Sequence, residues 1–261
     1  MGQCRARPLA LTSLWKVESS LTGQHIVDNE KKESSVESSV KPTVAIVGGT
    51  GALGIGLARR LSKAGYPVIV GSRKIEAAEA ATLALREKVT TASGAPVVIS
   101  AATNESAAAA ADVVFVTVPF AAHTTTLEGI KSAVVGKVVV DVTVPLVPPK
   151  VARVQLPPEG SAGQIAQALL GEEVHVVSAL QNVAAHHLDS DDDIDCDVLV
   201  TGNEKAARQT VIDMLADIGL TGYHACLINN AAAAEALTSL LININKQYKT
   251  YAGIRITGID P

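Results

Sequence analysis

Thr43-Val-Ala-Ile-Val-Gly-Gly-Thr-Gly-Ala-Leu-Gly54 is the stretch of sequence that decides the fold. It begins as a short apolar run typical of a buried strand and ends in the pattern Gly49-x-Gly51-x-x-Gly54. Residues 55–64 (IGLARRLSKA) have the composition of a helix, which we predict to stop at Gly65. A strand, a glycine turn and a helix in this order are the context of a dinucleotide-binding fingerprint.

Each glycine of this turn has its own expected role. Gly49 allows the tight turn, Gly51 lets the backbone approach a pyrophosphate, and Gly54 lets the helix pack close to the strand. The helix N-terminus adds free N–H groups and the positive end of the helix dipole. We therefore predict that the turn binds the phosphates of a dinucleotide.

The end of the second predicted strand indicates which dinucleotide binds. Residues 66–70 are apolar and are followed by Gly71-Ser72-Arg73-Lys74. A site that prefers NAD has Asp or Glu here, about 20 residues past the glycines. Arg73 can instead pair with a 2′-phosphate through two parallel N–H bonds, Ser72 can donate one more, and Thr50 is near enough to join. The sequence therefore predicts NADP(H).

Composition and charge exclude several classes of protein. The chain has 261 residues and a net charge of −4, which suits one large domain or two small ones and argues against nucleic acid as the main partner. We find no apolar run of the ~18 residues that a membrane span needs, so we expect no membrane partner. Cys4, Cys196 and Cys226 lack CxxC spacing, which favours a reducing, cytoplasmic location.

Apolar strands alternate with helices from Thr43 onward. This pattern predicts an α/β fold, Rossmann-like and doubly wound, with a mainly parallel sheet and a small C-terminal helical region. The further predicted strands are 96–100, 112–118, 137–141, 174–179, 198–201 and 221–225. The further predicted helices are 75–90, 104–111, 121–132, 161–170, 204–218 and 230–248.

Two segments stand apart from this alternation. Residues 1–41 contain the polar, aperiodic run DNEKKESSVESS, so we predict a disordered extension there. The helix predicted at 230–248 is apolar on much of its circumference. Such a helix must be buried, in this chain or against a second copy, and we therefore expect a homodimer.

Ligands of such a fold bind at the carboxyl ends of the strands. This rule places Thr117-Val118-Pro119, Val142-Thr143 and the glycine turn around one crevice. His123, just beyond Pro119, has two open interpretations: contact with a cofactor phosphate, or a polar residue that starts a helix.

Five motifs together resemble the NADPH-dependent coenzyme F420 reductases, also called F420:NADP oxidoreductases. They are GGTGALG (48–54), VGSR (70–73), VTVPF (116–120), VVSALQNVAAHHL (176–188) and LTSLLININKQYKTYAGIRITG (237–258). The resemblance covers residues 43–258. It implies an oxidoreductase that moves hydride between NADP(H) and the deazaflavin coenzyme F420.

The resemblance also implies the residues that bind each coenzyme. Thr50, Gly51, Ala52 and Leu53 would line the NADP pyrophosphate, and Ser72 and Arg73 would hold the 2′-phosphate. Thr117, Val118 and Pro119 would lie beside the nicotinamide. The deazaflavin pocket would be lined by Gln181, Asn182, Val183 and Ala185, and closed by Ala252 and Ile254. Residues 42–226 would then form the NADP-binding domain, and residues 227–261 would be the helix and tail that complete the deazaflavin pocket.

Hydride transfer between these two rings needs stacking in a dry pocket, and no side-chain acid or base is obligatory. The sequence agrees with this chemistry because we find no Tyr-x-x-x-Lys pair and expect no His–Asp pair at a strand end. We therefore expect no catalytic side chain, and no metal site. Lys246, Lys249 and Arg255 are either a basic cluster for the acidic coenzyme tail or a solvated helix end.

Two rival functions stay open at this point. One is an NADP-dependent reductase of an imine or carbonyl metabolite, similar to pyrroline-5-carboxylate reductases. It would need a polar substrate pocket, against which the apolar Val183 and Ala185 argue. The other is a non-enzymatic NADP-binding sensor, which would need a partner-binding motif in residues 1–41.

Overall fold

A computed structural model describes residues 41–91 and 94–259 of the chain. The extension predicted for residues 1–41 lies outside the described residues, except for Lys41. The strands are β1 (Val44–Val47), β2 (Val68–Ser72), β3 (Ile99–Thr103), β4 (Val113–Val116), β5 (Val138–Asp141), β6 (His175–Ser178), β7 (Asp197–Gly202) and β8 (Thr221–His224). The α-helices are α1 (Ala52–Lys63), α2 (Ile75–Lys88), α3 (Asn104–Ala110), α4 (Phe120–Ile130), α5 (Ala162–Leu170), α6 (Ala185–Leu188), α7 (Lys205–Asp217) and α8 (Ala231–Tyr248).

The eight described strands form one sheet in the order β3-β2-β1-β4-β5-β6-β7-β8. Strands β1 to β6 run parallel, β7 pairs antiparallel with β6, and β8 runs parallel to β7. The chain winds outward from β1 in one direction and resumes at β4 in the other, so a topological switch point lies between these two strands. The predicted fold class is confirmed.

Both faces of the sheet are covered by helices, which explains why its strands are continuously apolar. Ile46 and Phe115 belong to a core on one face, while Ala45 and Val114 belong to a core on the other. All four side chains are at most 2% exposed. The ends of the strands are therefore held in fixed positions by packing from both sides.

Two elements differ from the sequence prediction. The third strand was predicted at 96–100 but spans Ile99–Thr103, because it pairs in register with β2 out to Ser72. Pro96 has no N–H to donate to a strand ladder and forms only an isolated bridge with Thr90. The one-turn helix α6 was not predicted, since four residues are too few to show a helical period.

Helix α8 is buried on one face only. Ala231, Ala234, Glu235, Ser239 and Leu241 are buried, and the helix packs against α5 and β7. On the other face Leu240, Ile244 and Tyr248 are 52%, 38% and 69% exposed. Within the part of the chain that the structure describes, no helix is long and apolar enough to cross a membrane.

Candidate functional site

The turn after β1 is built around glycines that the protein itself requires. Gly48 has a φ of +75°, a conformation that other residues rarely adopt. A Cβ on Gly49 would lie 2.7 Å from the Ile46 carbonyl oxygen, and one on Gly54 would lie 2.6 Å from Gly49 Cα. The predicted roles of Gly49 in the turn and of Gly54 in close helix packing therefore agree with the geometry.

Gly51 is different, because nothing among the described residues requires a glycine there. Its backbone is extended (φ −78°, ψ 165°), and a Cβ would meet only the Gly48 carbonyl oxygen, at 3.8 Å. Helix α1 begins at Ala52, and no side chain in the described part of the chain caps its first N–H groups. Open space beside the backbone together with uncapped N–H groups suits a pyrophosphate.

A cleft of about 210 Å³ extends from this turn across the carboxyl ends of β2 and β4. It contains seven of the predicted site residues: Thr50, Gly51, Ser72, Arg73, Thr117, Val118 and Pro119. Its other lining residues are Gly48, Asn104, Ala122 and Thr126. The structure thus brings the turn, the cationic end of β2 and the end of β4 into one crevice.

The end of β2 supplies a charge that no other described group neutralises. Ser72 is buried and its Oγ accepts a hydrogen bond from the Lys74 N–H at 3.3 Å. Arg73 is exposed, and within residues 41–91 and 94–259 no carboxylate lies in ion-pair range of its guanidinium. Arg73 is therefore free to form two parallel bonds with a phosphate at the rim of the cleft.

Asn104 is a site residue that the sequence reasoning missed. It is the first residue of α3, and its Oδ1 accepts a hydrogen bond from the Gly48 N–H at 3.1 Å. This bond satisfies the backbone of the glycine turn and holds its conformation. The available signal was a polar residue at the start of a predicted helix that follows a strand.

The residues predicted for the deazaflavin pocket form a second group, at the end of β5. Gln181 Nε2 donates to the Asp141 carbonyl oxygen at 3.0 Å, and Asn182 Nδ2 donates to the Ala234 carbonyl oxygen at 2.9 Å. The segment that also holds Val183 and Ala185 is thereby fixed between the end of β5 and helix α8. Since Asp141 is in register with Val116 of β4, this group adjoins the crevice.

The C-terminal tail lies beside the same segment. A Cβ on Gly253 would lie 2.5 Å from Cys196 Sγ, and that thiol donates to the Asn182 carbonyl oxygen at 3.6 Å. The Asp197 N–H donates to the Ile254 carbonyl oxygen at 2.8 Å, and the Ala252 N–H donates to Asn245 Oδ1 at 2.7 Å. The structure thus places Ala252 and Ile254 near Asn182. The resemblance to the F420 reductases assigned all three residues to the deazaflavin pocket.

One expectation about the site was wrong, since a His–Asp pair does stand at a strand end. His123 Nε2 lies 2.7 Å from Asp141 Oδ2, and both side chains are fully buried. His123 therefore does not reach a cofactor phosphate, and its neighbours Ala122 and Thr126 line the cleft instead. The sequence hid this pair because its members lie 18 residues apart on α4 and β5.

A second buried ionisable group lies on α8. Glu235 is 1% exposed and accepts hydrogen bonds from the Ala162 and Gly163 N–H groups at 2.7 and 3.0 Å, at the start of α5. Burial raises the pKa of Glu235 to about 8, against the lowering effect of the two N–H donors, and the charge of Asp141 adds to the rise. Glu235 is a lone acid in an alanine-rich helix, which was its only signal in the sequence.

Arg255 does not stand free as a cation for an acidic ligand. Its guanidinium pairs with Asp195 and lies 3.6 Å from Asp197 Oδ2. These contacts fix the tail to the acidic loop that precedes β7. Of the three predicted cations, only Lys246 and Lys249 show no ion pair among the described residues.

A cavity larger than the cleft at the glycine turn does not coincide with the predicted site. It measures about 550 Å³ and is lined by residues of α5, the start of β6 and the segment after β7, among them Glu172, His175 and Glu204. Ligands of a parallel sheet bind at the carboxyl ends of its strands, whereas His175 opens β6 at the opposite end. The smaller cleft at the glycine turn is therefore the candidate site.

The fold and this cleft define a class: a dinucleotide-dependent oxidoreductase with a Rossmann-like domain. Residues 43–145 match the family model described as "NADP oxidoreductase coenzyme F420-dependent". The chain belongs to the family of F420-dependent NADP reductases. It is 39% identical to the enzyme of that name from Methanocaldococcus jannaschii over 83% of this chain and 99% of that protein. With the Methanothermobacter thermautotrophicus enzyme it shares 37% identity over 83% of this chain and 95% of that protein.

Solved structures agree on the fold alone. A hypothetical protein from Sinorhizobium meliloti superposes with a TM-score of 0.61 at 23% identity, over 77% of this chain and 90% of that one. A pyrroline-5-carboxylate reductase from Coxiella burnetii superposes with a TM-score of 0.50 at 15% identity, over 71% of this chain and 60% of that one. The likeness to the second protein carries no inference about substrate.

Proposed function

We propose that this chain is an oxidoreductase that transfers hydride between NADP(H) and the deazaflavin coenzyme F420. The observation that carries the proposal is the cleft at the switch point, which joins a glycine turn to Arg73 in a chain of the F420-dependent NADP reductase family. Two relatives that match this chain over nearly all of its described residues are F420-dependent NADP reductases. This similarity argues against the imine reductase and the NADP sensor.

The side chains bind and orient the two coenzymes. NADP(H) and F420 supply hydride chemistry between nicotinamide C4 and deazaflavin C5, which needs alignment and exclusion of water. We assign the NADP side of the site to Gly49, Thr50, Gly51, Ala52, Leu53, Gly54, Ser72, Arg73, Thr117, Val118 and Pro119. We assign the deazaflavin side to Gln181, Asn182, Val183, Ala185, Ala252 and Ile254. The support is that seven of the NADP-side residues line one cleft, and that Gln181 donates to the carbonyl oxygen of Asp141 at the end of β5, the strand beside β4.

An absorbance assay tests this function. Mixing the protein with NADPH and oxidised F420 is expected to bleach the visible deazaflavin band, because hydride addition at C5 interrupts ring conjugation. NADH in place of NADPH should bleach it at least tenfold more slowly, since Arg73 then has no 2′-phosphate to pair with. No bleaching in a sample that still binds NADPH would reject the deazaflavin as acceptor.

We further propose that the enzyme works in the cytoplasm as a homodimer. The exposed apolar side chains of α8, Leu240, Ile244 and Tyr248, lie at a spacing of four residues and form one stripe that a second copy would cover. Cys196 and Cys226 are free thiols, which suits a reducing compartment. Light scattering on the purified chain should give twice the mass of one chain, and the mass of a single chain would contradict the dimer.

We also propose a division of the chain into residues 42–226, which bind NADP, and residues 227–261, which complete the deazaflavin pocket. Its support is that Asn182 donates to the Ala234 carbonyl oxygen of α8, and that Ile254 of the tail accepts from the N–H of Asp197, the residue after Cys196, whose thiol donates to the Asn182 carbonyl oxygen.

A further inference from the structure

The structure assigns to Arg60 the role of a positioning residue for the deazaflavin side of the site. From helix α1, which begins at the glycine turn, its side chain holds the segment that leaves the proposed pocket. This inference rests on the proposed use of F420. The carbonyl groups that Arg60 binds belong to none of the residues assigned to the two coenzymes, so it acts through the backbone.

The guanidinium of Arg60 is surrounded by backbone carbonyl oxygens. It donates hydrogen bonds to five of them, which belong to His187 (3.0 Å), Leu188 (3.3 Å), Ser190 (2.9 Å), Asp192 (2.7 Å) and Ile218 (3.1 Å). Four of the five oxygens lie within residues 187–192, which follow the proposed pocket residue Ala185. Arg60 therefore joins α1 to the chain that continues from this pocket.

Helix α6 needs support from outside, because it is a single turn. Four residues are too few for a helix that is stable alone, and its N-cap residue, Ala184, makes no side-chain capping bond. The last carbonyl groups of a helix have no N–H partners within the helix. Arg60 donates to two of them, those of His187 and Leu188, and places a positive charge at the C-terminus, where the helix dipole favours it.

The other end of this segment is fixed by different contacts. Gln181 and Asn182 donate to backbone carbonyl oxygens at the end of β5 and on α8. Val183 and Ala185 of the proposed pocket lie between these contacts and those of Arg60. Removal of the Arg60 side chain would therefore release one end of the segment and leave the other end in place.

The C-terminal tail is attached to the same stretch of chain. The carbonyl oxygen of Tyr251 lies 3.2 Å from His187 Nε2, and the guanidinium of Arg255 pairs with Asp195. The part of the tail assigned to the pocket lies between these two contacts. The bonds of Arg60 therefore support both chain segments that we assign to the deazaflavin.

Helix α1 links this support to the NADP side of the site. Arg60 lies eight residues past Ala52, the first residue of α1, which is about 12 Å along the helix. The glycine turn has its own contacts, since Gly48 is held by Asn104 and Gly54 packs on Gly49. A change at Arg60 should therefore affect the deazaflavin side and leave the NADP side intact.

Two measurements on the full chain test this role. The first is amide hydrogen exchange without coenzyme, followed by mass spectrometry. In Arg60→Met, exchange within residues 183–193 should become at least roughly tenfold faster, because bonds from a charged donor are lost. Exchange within residues 48–54 should be unchanged. The second is the absorbance assay, in which the KM for F420 should rise roughly tenfold and that for NADPH should stay within about twofold.

Arg59→Met is a matched control, since it makes the same change one residue earlier on α1. Arg59 pairs with the side chain of Asp191, which is 59% exposed, and Lys63 pairs with the same carboxylate. Exposed ion pairs contribute little to stability. The exchange rate within residues 183–193 and the KM for F420 should therefore both stay within about twofold of wild type in this variant.

Unchanged exchange within residues 183–193 of Arg60→Met would overturn the inference, whether or not F420 is the hydride acceptor. An equal rise of the KM for both coenzymes would also overturn it, because a general loss of structure affects both sides of the site. Absence of F420 turnover by the wild-type chain would instead overturn the proposed function. If Arg60→Met does not fold, Arg60→Lys is measured by the same criteria, because lysine keeps the charge with fewer donors.

Discussion

Replacing Arg73 with glutamate is expected to weaken NADPH binding by roughly 10²–10³-fold. Two charge-assisted hydrogen bonds to the 2′-phosphate contribute about 3 kcal/mol or more, and the new carboxylate adds repulsion. Arg73 is exposed at the rim of the cleft, so the change should not unfold the protein. Isothermal calorimetry with NADPH and with NADH gives both affinities, and the NADH affinity should change less than threefold.

Lys74 offers a matched control for this substitution. It is the next residue, is also exposed, and precedes α2, but it does not line the cleft. Lys74→Glu changes the net charge by the same amount and should weaken NADPH binding less than tenfold. Equal losses of NADPH affinity in the two variants would show that positive charge attracts the anion in general. That result would contradict the assignment of Arg73 as the 2′-phosphate ligand.

The two glycines at the start of α1 are expected to respond oppositely to alanine. Gly54→Ala forces a methyl group against the Gly49 backbone at 2.6 Å and should lower the free energy of unfolding by about 3 kcal/mol. Gly51→Ala meets only the Gly48 carbonyl oxygen, at 3.8 Å, and should change it by less than about 1 kcal/mol. NADPH affinity should nevertheless fall at least tenfold in Gly51→Ala, because the methyl occupies the space assigned to the pyrophosphate.

Urea unfolding without nucleotide and calorimetry with NADPH measure these two effects separately. The contrast between the variants is the informative result, since both carry the same chemical change three residues apart. A Gly51→Ala protein that is stable and binds NADPH as wild type does would contradict a pyrophosphate at this turn. An unchanged free energy of unfolding in Gly54→Ala would contradict the predicted clash, because the turn would then accommodate the methyl group without loss of stability.

Local sequence patterns predicted the elements that build the crevice. The glycine pattern, the Ser72-Arg73 pair and the apolar run before Thr117 are each contained in a few consecutive residues. The parallel sheet then brings their ends together, because strands that alternate with helices must point the same way. The strand over Ile99–Thr103 was misplaced since Ala101 and Ala102 lack the branched side chains that mark a strand.

The buried polar groups could not be predicted in the same way. His123 on α4 and Asp141 on β5 meet only in the folded chain, and Glu235 meets the start of α5 across 72 residues of sequence. Nothing in the local pattern around these residues specifies their partners. Asn104 lay closer to prediction, because it is a polar residue at the predicted start of a helix, although Thr103 and not Asn104 caps that helix.

Transfer of deuterium from NADPH to F420 tests the central claim most directly. The protein is given NADPH with both C4 hydrogens replaced by deuterium, oxidised F420 and ordinary water, and the product is examined by NMR. Direct hydride transfer predicts one deuterium at C5 of the reduced deazaflavin in every turnover, with none lost to solvent. Solvent hydrogen at C5, or reduced deazaflavin without deuterium, would contradict the account.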